Sequence, residues 1–221
     1  MTGTEAPERP LRKDAERNRQ RILDAARELF AEQGLGVTLN DVAHHAGVGV
    51  GTVYRRFPEK TQLVEELFEQ QIAQLIALME EGLDDPDPWQ GLTGFLRRNL
   101  EMQACDRAFR QIILGTPDGA QRVAQTRARM FPLGAKLVQR AKDAGALRSD
   151  FQPEDLPMLV LMLTTILDSA RDVEPELWRR YLEIIIQGMR AQPDPPAPLT
   201  TPALDSGQVP CVMAACKLSP R

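Results

Sequence analysis

The chain has 221 residues, 43% of them hydrophobic and 26% charged, the proportions of a folded globular protein with one large domain or two small ones. A net charge of −4 excludes wholesale coating of nucleic acid. No apolar run approaches the roughly 18 residues of a membrane span, and three cysteines exclude a disulfide framework. Charge is unevenly spread. Arg9 to Arg21 carries a net +4 and the remainder −8, which points to an anionic partner at one end or to a solubilising start. The opening MTGTEAPERPLRKD lacks the apolar core of a secretory signal, so the expected location is the cytoplasm.

Residues 1–13 read as a flexible basic arm, being polar and proline-containing. From Asp14, Ile22, Leu23, Ala26, Leu29 and Phe30 recur at helical spacing until Gly34. Thr38, with Asp41 three residues on, reads as the cap of a short helix that ends at Gly47. A second short helix runs from Val50 to Phe57, where Pro58 stops it. A long helix from Glu59 to Gly82 follows, then the linker DDPDP. Further helices are expected over 89–104, 107–114, 119–145 (with an interruption at Pro132), 153–172 and 175–190. Nothing shows strand alternation, so the expected class is all-α. The predicted domains are residues 14–58, 59–191 and a proline-rich, disordered tail over 192–221.

The stretch GVGVGTVYRRFPEK (Gly47–Lys60) carries the chemistry. Two short helices joined by a tight glycine turn and propped by a preceding helix make a helix-turn-helix unit. Ala43 must be small where the helices cross, and Gly47 can take the left-handed turn. Val42, Val48 and Val53 lock the pair, with Leu39 against Leu29 and Phe30. Gly49 and Gly51 then leave backbone bare at the start of the second helix, where phosphate is attracted and close approach is open. Thr52 and Tyr54 suit phosphate contacts, with Val50 between the glycines. Arg55 and Arg56 suit guanine edges or phosphate, but at about 100° apart they should not share one task. Lys60 and Thr38 are placed for flanking backbone, and Arg17, in the segment Arg12–Arg21, for an adjacent groove or the backbone. The expected partner is double-stranded DNA.

RILDAARELFAEQGLGVTLNDVAHHAGVGVGTVYRRFPEKTQLVEELF resembles the N-terminal domain of the tetracycline-repressor (TetR) family of bacterial regulators. The match covers about Arg21–Phe68, and Thr-Val-Tyr-x-x-Phe followed by Lys60 is its specific part. The resemblance implies an all-α homodimer with a variable C-terminal domain for a small-molecule effector, acting as a repressor of a near-palindromic site. Gly49 departs from the pattern, since many relatives have serine there.

The other candidates are weaker. His44 and His45, adjacent on one helix, do not converge on a metal, and no nucleophile–histidine–acid set can be drawn, so no metal, cofactor or catalysis is expected. Cys211 and Cys216 lie in the tail, and Cys105 reads as a small packed residue. An adaptable effector pocket would draw on Trp89, Phe95, Met102, Phe109, Met130, Phe131, Met158 and Met162. The last two helices, apolar nearly all round, are expected to pair with a second copy. A second reading is a DNA-architectural or protein-interaction module without an effector; steep salt dependence and no preferred site would mark it.

Overall fold

The computed structural model describes residues 8–105, 119–194 and 197–215. The described residues are helical, with no strand among them beyond one isolated bridge, Leu147–Arg190. In chain order the helices are α1 (Glu8–Gln33), α2 (Leu39–Ala46), α3 (Val50–Arg56), α4 (Lys60–Asp84), α5 (Pro88–Cys105), α6 (Gly119–Asp143), α7 (Asp155–Ala170), α8 (Leu177–Met189) and α9 (Gln208–Ala215). The helix expected over 107–114, with Phe109, and Cys216 lie outside the described residues.

Two compact units divide the described chain inside α4, after Gln71. The first packs α1 to α3 and the front of α4 around Leu23, Phe30, Val42, Val53, Leu63 and Leu67. The second has its own core from α5 to α8, including Leu96, Leu100, Leu137, Leu163 and Trp178. Each fully buried side chain of this size stabilises by roughly 1.5–3 kcal/mol relative to exposure. The two apolar patterns read from the sequence are therefore the two cores.

α1 starts earlier than the expected Asp14. Pro10 sits in the first turn of the helix, where its missing N–H costs nothing, so Glu8–Lys13 is helical rather than a flexible arm. α6 likewise runs unbroken through Pro132. Pro132 is exposed, which leaves the carbonyl it frees within reach of water.

The tail departs most from its expected disorder. Ala191 donates to the Ala146 carbonyl at 2.9 Å, and Leu199 N–H donates to Asp150 Oδ2 at 3.0 Å. Arg148 holds that carboxylate with two further bonds, and Arg148 and Leu199 together lower the pKa of the Asp150 carboxyl to about 2. α9 then packs against α6 and α7 with Val209 fully buried. Its start is a capping box: Asp205 Oδ1 accepts from Gly207 and Gln208 N–H at 2.8 Å, and Gln208 Oε1 accepts from Asp205 N–H at 3.0 Å. One apolar anchor and one cap outweigh the proline-rich composition of the flanks.

α4 and α5 meet backbone to backbone. A Cβ at Gly91 would lie 2.1 Å from the Gly82 carbonyl oxygen, and one at Gly82 would lie 2.7 Å from that of Gly91. Neither backbone can yield as a side chain can. Gly91→Ala is therefore expected to destabilise the protein by about 1–3 kcal/mol, the usual cost of overpacking. An unchanged denaturant midpoint would contradict the contact.

Candidate nucleic-acid interface

The site begins with a cap. Thr38 Oγ1 accepts from Asp41 N–H at 3.2 Å and donates to Asp41 Oδ2 at 2.7 Å, while Thr38 N–H donates to the same oxygen at 2.8 Å. These bonds to Thr38 hold the Asp41 carboxyl below its ordinary value. They also commit the one hydroxyl hydrogen of Thr38 to the fold. Thr38 is therefore the cap of α2, its hydroxyl bonded to Asp41.

α2 ends at Gly47, whose φ of +62° is the left-handed conformation. Gly47 N–H donates to the His44 carbonyl at 3.2 Å and Val48 N–H to that of Ala43 at 3.1 Å, closing the helix end with two bonds. From α1, Arg21 Nη2 donates to the Gly47 carbonyl at 3.3 Å. Ala43 and Val53 are fully buried at the α2–α3 crossing and Val48 is half-buried beside them. The direction of α3 is thus set by the turn and the crossing together.

The three glycines differ in kind. Only Gly47 is demanded by the backbone. Gly49 has an ordinary φ of −62°, and a Cβ there would meet Thr52 Oγ1 at a comfortable 3.7 Å. A Cβ at Gly51 would meet nothing within 4 Å. The fold gives no reason for either to lack a side chain. Space at this end of α3 is kept clear on the solvent side.

Around that clear space α3 exposes Val50, Tyr54 and Arg55, with Tyr54 at 44% and Val50 at 37%. At offsets of four residues, Gly51 with Arg55 lies opposite Val53 and Val50 with Tyr54 lies beside them. Thr52 is half-buried at its edge. Arg56 is exposed too, but on another side, as the roughly 100° between consecutive helical positions requires. It borders a cavity of about 380 Å³ lined also by Gln62, Glu65, Glu66 and Glu69, so consecutive arginines face different surroundings. Lys60 lies 5.7 Å from the Phe30 ring centroid, and burial lowers its pKa. Arg17 is exposed, 3.8 Å from Asp14.

One of the two histidines belongs to the scaffold. His45 Nε2 is 2.7 Å from Glu28 Oε2, which ties α2 to α1, while His44 is exposed. Among the described residues no cluster of His, Cys, Asp and Glu could hold a metal. No described helix is long and apolar enough to cross a membrane.

The pocket residues read from the sequence differ in exposure. Trp89 and Phe95 are buried core, Met102, Met130, Phe131 and Met158 are half-buried, and Met162 is 51% exposed. Met162 is on the outer side of α7, where helical spacing from buried Leu163 turns it away from the core. A second cavity of about 520 Å³ lies against the tail, bordered by Asp150, Glu154, Asp155 and Asp205 among others. Neither cavity is bordered by any of these seven described residues.

A short helix held by a left-handed glycine turn, offering a bare, basic and aromatic face, defines a helix-turn-helix DNA-binding unit. Comparison with known proteins gives the family. The model of bacterial regulatory proteins of the tetR family matches residues 22–67. That of the C-terminal domain of SbtR-like transcriptional regulators matches residues 87–191. The crystal structure of a TetR transcription regulatory protein from Mycobacterium vanbaalenii is 30% identical, with a TM-score of 0.65, over 82% of this chain and 100% of that one. A TetR regulator from Streptomyces coelicolor is 26% identical, with a TM-score of 0.58, over 79% of this chain and 99% of that one. An HTH-type transcriptional regulator of Staphylococcus aureus is 37% identical over 76 residues, 34% of this chain. The match spans 41% of that relative's length. Fold alone is shared with FadR from Bacillus subtilis, solved in complex with stearoyl-CoA, at 20% identity and a TM-score of 0.61 over 77% of this chain and 98% of that one. The chain belongs to the TetR family of transcriptional regulators and is not an enzyme.

Two glycine substitutions should separate fold from function. Gly47→Val is expected to destabilise the first unit, because a left-handed backbone costs a side-chain-bearing residue about 1–2 kcal/mol. Gly51→Ala, at a compatible φ, is expected to be neutral or to stabilise by up to about 1 kcal/mol and yet to weaken DNA binding. Melting curves and a DNA titration of both variants check this. Equal DNA affinity in Gly51→Ala would refute a functional reason for the bare backbone.

Proposed function

We propose that the protein is a sequence-specific repressor that binds a near-palindromic operator as a homodimer and is released by a small molecule. The observation that carries the DNA half is the face of α3, bare at Gly49 and Gly51 without structural need. Close approach there brings Tyr54 and Thr52 to phosphate, Val50 against the groove wall and Arg55 to a guanine edge. Arg17 and Lys60 supply flanking backbone charge, while Arg56, beside three glutamates, contributes less. A twofold dimer would set two such helices in successive major grooves, ~34–36 Å apart or a multiple of it.

Dimerisation is supported by apolar side chains left exposed on the adjacent helices α7 and α8: Met162, Tyr181 at 41% and Ile184 at 52%. Their neighbours Leu163, Leu182 and Ile186 already fill the protomer's own core. Release requires the effector to bind the DNA-incompetent arrangement more tightly; a coupling of ~1–3 kcal/mol changes DNA affinity roughly 5–150-fold. The second unit is the proposed effector domain, with half-buried Met102, Met130 and Phe131 as adaptable lining. The fold shared with FadR supports a small-molecule ligand without naming it.

Incubating the purified protein with fragmented DNA of its source at near-physiological salt, and sequencing what it retains, should recover one recurring near-palindrome. Retention without a shared sequence, lost steeply with salt, would contradict the reading and favour an architectural protein. On the recovered site, Tyr54→Ala should lower affinity about tenfold or more and leave the dimer intact. Unchanged affinity would remove Tyr54 from the interface. Ile184→Glu should shift the protein to monomer in sedimentation without changing its circular dichroism; a persistent dimer would exclude α8 from the subunit contact.

A further inference from the structure

Two polar atoms of the second unit are buried without a hydrogen-bond partner: the indole Nε1 of Trp178 on α8 and the hydroxyl oxygen of Thr126 on α6. Trp178 as a whole is 1% exposed. A buried indole N–H ordinarily finds an acceptor. Left without one it is costly, and its persistence in a packed core calls for a cause, such as an acceptor that arrives from outside the chain.

Topology brings the two atoms to the same end of one bundle. α8 runs antiparallel to α5, since Arg190 lies 5.4 Å from the Trp89 ring centroid at one end and Arg179 Nη1 donates to Glu101 Oε1 at 2.8 Å at the other. Trp178 therefore stands near the end of α5. α6 packs on α5 as well, with Leu137, close to its own end, against the Gly82–Gly91 contact at the start of α5. From that point the same number of turns, about 16 Å of helix, leads forward to Met102 on α5 and back to Thr126 on α6. One turn on from Thr126, Met130 shares its face and packs against the second core. All four residues belong to the second unit.

The indole is held in place. The Arg179 guanidinium lies 4.4 Å from the Trp178 ring centroid and bonds both Glu101 and Glu176. These charges beside the indole satisfy one another, so a buried anion would meet no spare counter-charge there. Met102 and Met130 are half-buried, and their unbranched side chains can rearrange around an apolar body.

We infer that Trp178 Nε1–H and the Thr126 hydroxyl bind a neutral carbonyl oxygen, that of a ketone, ester or amide, on an otherwise apolar small molecule seated against Met102 and Met130. The inference rests on reading the second unit as an effector domain, and it names the chemistry of the effector.

The test uses the full-length protein labelled with nitrogen-15 in its two tryptophans, the Trp178 signal being the one missing in Trp178→Phe. Acetophenone and ethylbenzene share one carbon skeleton with and without a carbonyl; benzoate and 1-phenylethylamine add charge of either sign. Acetophenone should shift the Trp178 indole signal saturably and bind about fivefold more tightly than ethylbenzene or either charged compound. Trp178→Phe should abolish that margin while ethylbenzene still binds; if circular dichroism shows that variant unfolded, the shape-conserving Thr126→Val, which should narrow the margin, carries the test. Equal affinity for acetophenone and ethylbenzene, tighter binding of a charged compound, saturation without movement of the Trp178 signal, or no binding by any of the four would overturn the inference. Operator affinity is read separately. A moved Trp178 signal with unchanged operator affinity would uphold the carbonyl site and contradict the effector reading, whereas a probe that lowers operator affinity and leaves Trp178 unmoved would do the reverse.

Discussion

Everything in the first unit depends on a left-handed turn at Gly47. With φ at +62° the chain leaves α2 and re-enters a helix within a few residues, and no residue with a side chain does so without strain. The turn is reinforced from three directions: its own backbone bonds to Ala43 and His44, the Arg21 guanidinium on its carbonyl, and the buried crossing of Ala43 and Val53. That triple restraint aims α3. Because the turn and the core absorb Val48, Val53 and Phe57, the opposite face of α3 can be given over to the partner. Clear space at Gly49 and Gly51, framed by Tyr54 and Arg55, is what the restraint presents.

α4 is held by different chemistry at its two ends. The front packs Leu63, Val64 and Leu67 into the first core and adds side-chain bonds between long, flexible groups, Arg19 with Glu66 and Gln20 with Gln70. The rear is joined by backbone, through Gly82 against Gly91 and through carbonyls on Arg140. Flexible pairs near the surface contribute little to stability and reorganise readily. Backbone contacts at packing distance do not.

Much of this was legible in the sequence, and the misses have physical causes. The helix-turn-helix could be read because its signals are local: a capping pair at Thr38 and Asp41, a small residue at 43, a glycine four on. The two cores were legible from apolar spacing. Composition misled at the ends, since proline in a first turn is tolerated at Pro10, and the capping box DSGQ at Asp205–Gln208 was a local signal passed over amid prolines. Thr38 is bonded to Asp41 as the cap of α2, the role its spacing to Asp41 had indicated. Arg55 and Arg56 are alike by type; helical spacing told them apart by about 100°, and which of the two faces the glutamates of α4 came only from the structure. Arg140 carries no local signal at all. Its partners lie more than fifty residues away and are backbone carbonyls, which any sequence has.

The central claim is that the bare face of α3 enters the major groove. Dimethyl sulfate protection of guanine N7 on the selected operator reads that groove directly. Protected guanines are expected in two successive major-groove segments on one side of the duplex, about one turn apart, with the protection lost in Arg55→Ala. Uniform reactivity across the bound site, with protein contacts confined to the minor groove, would contradict it.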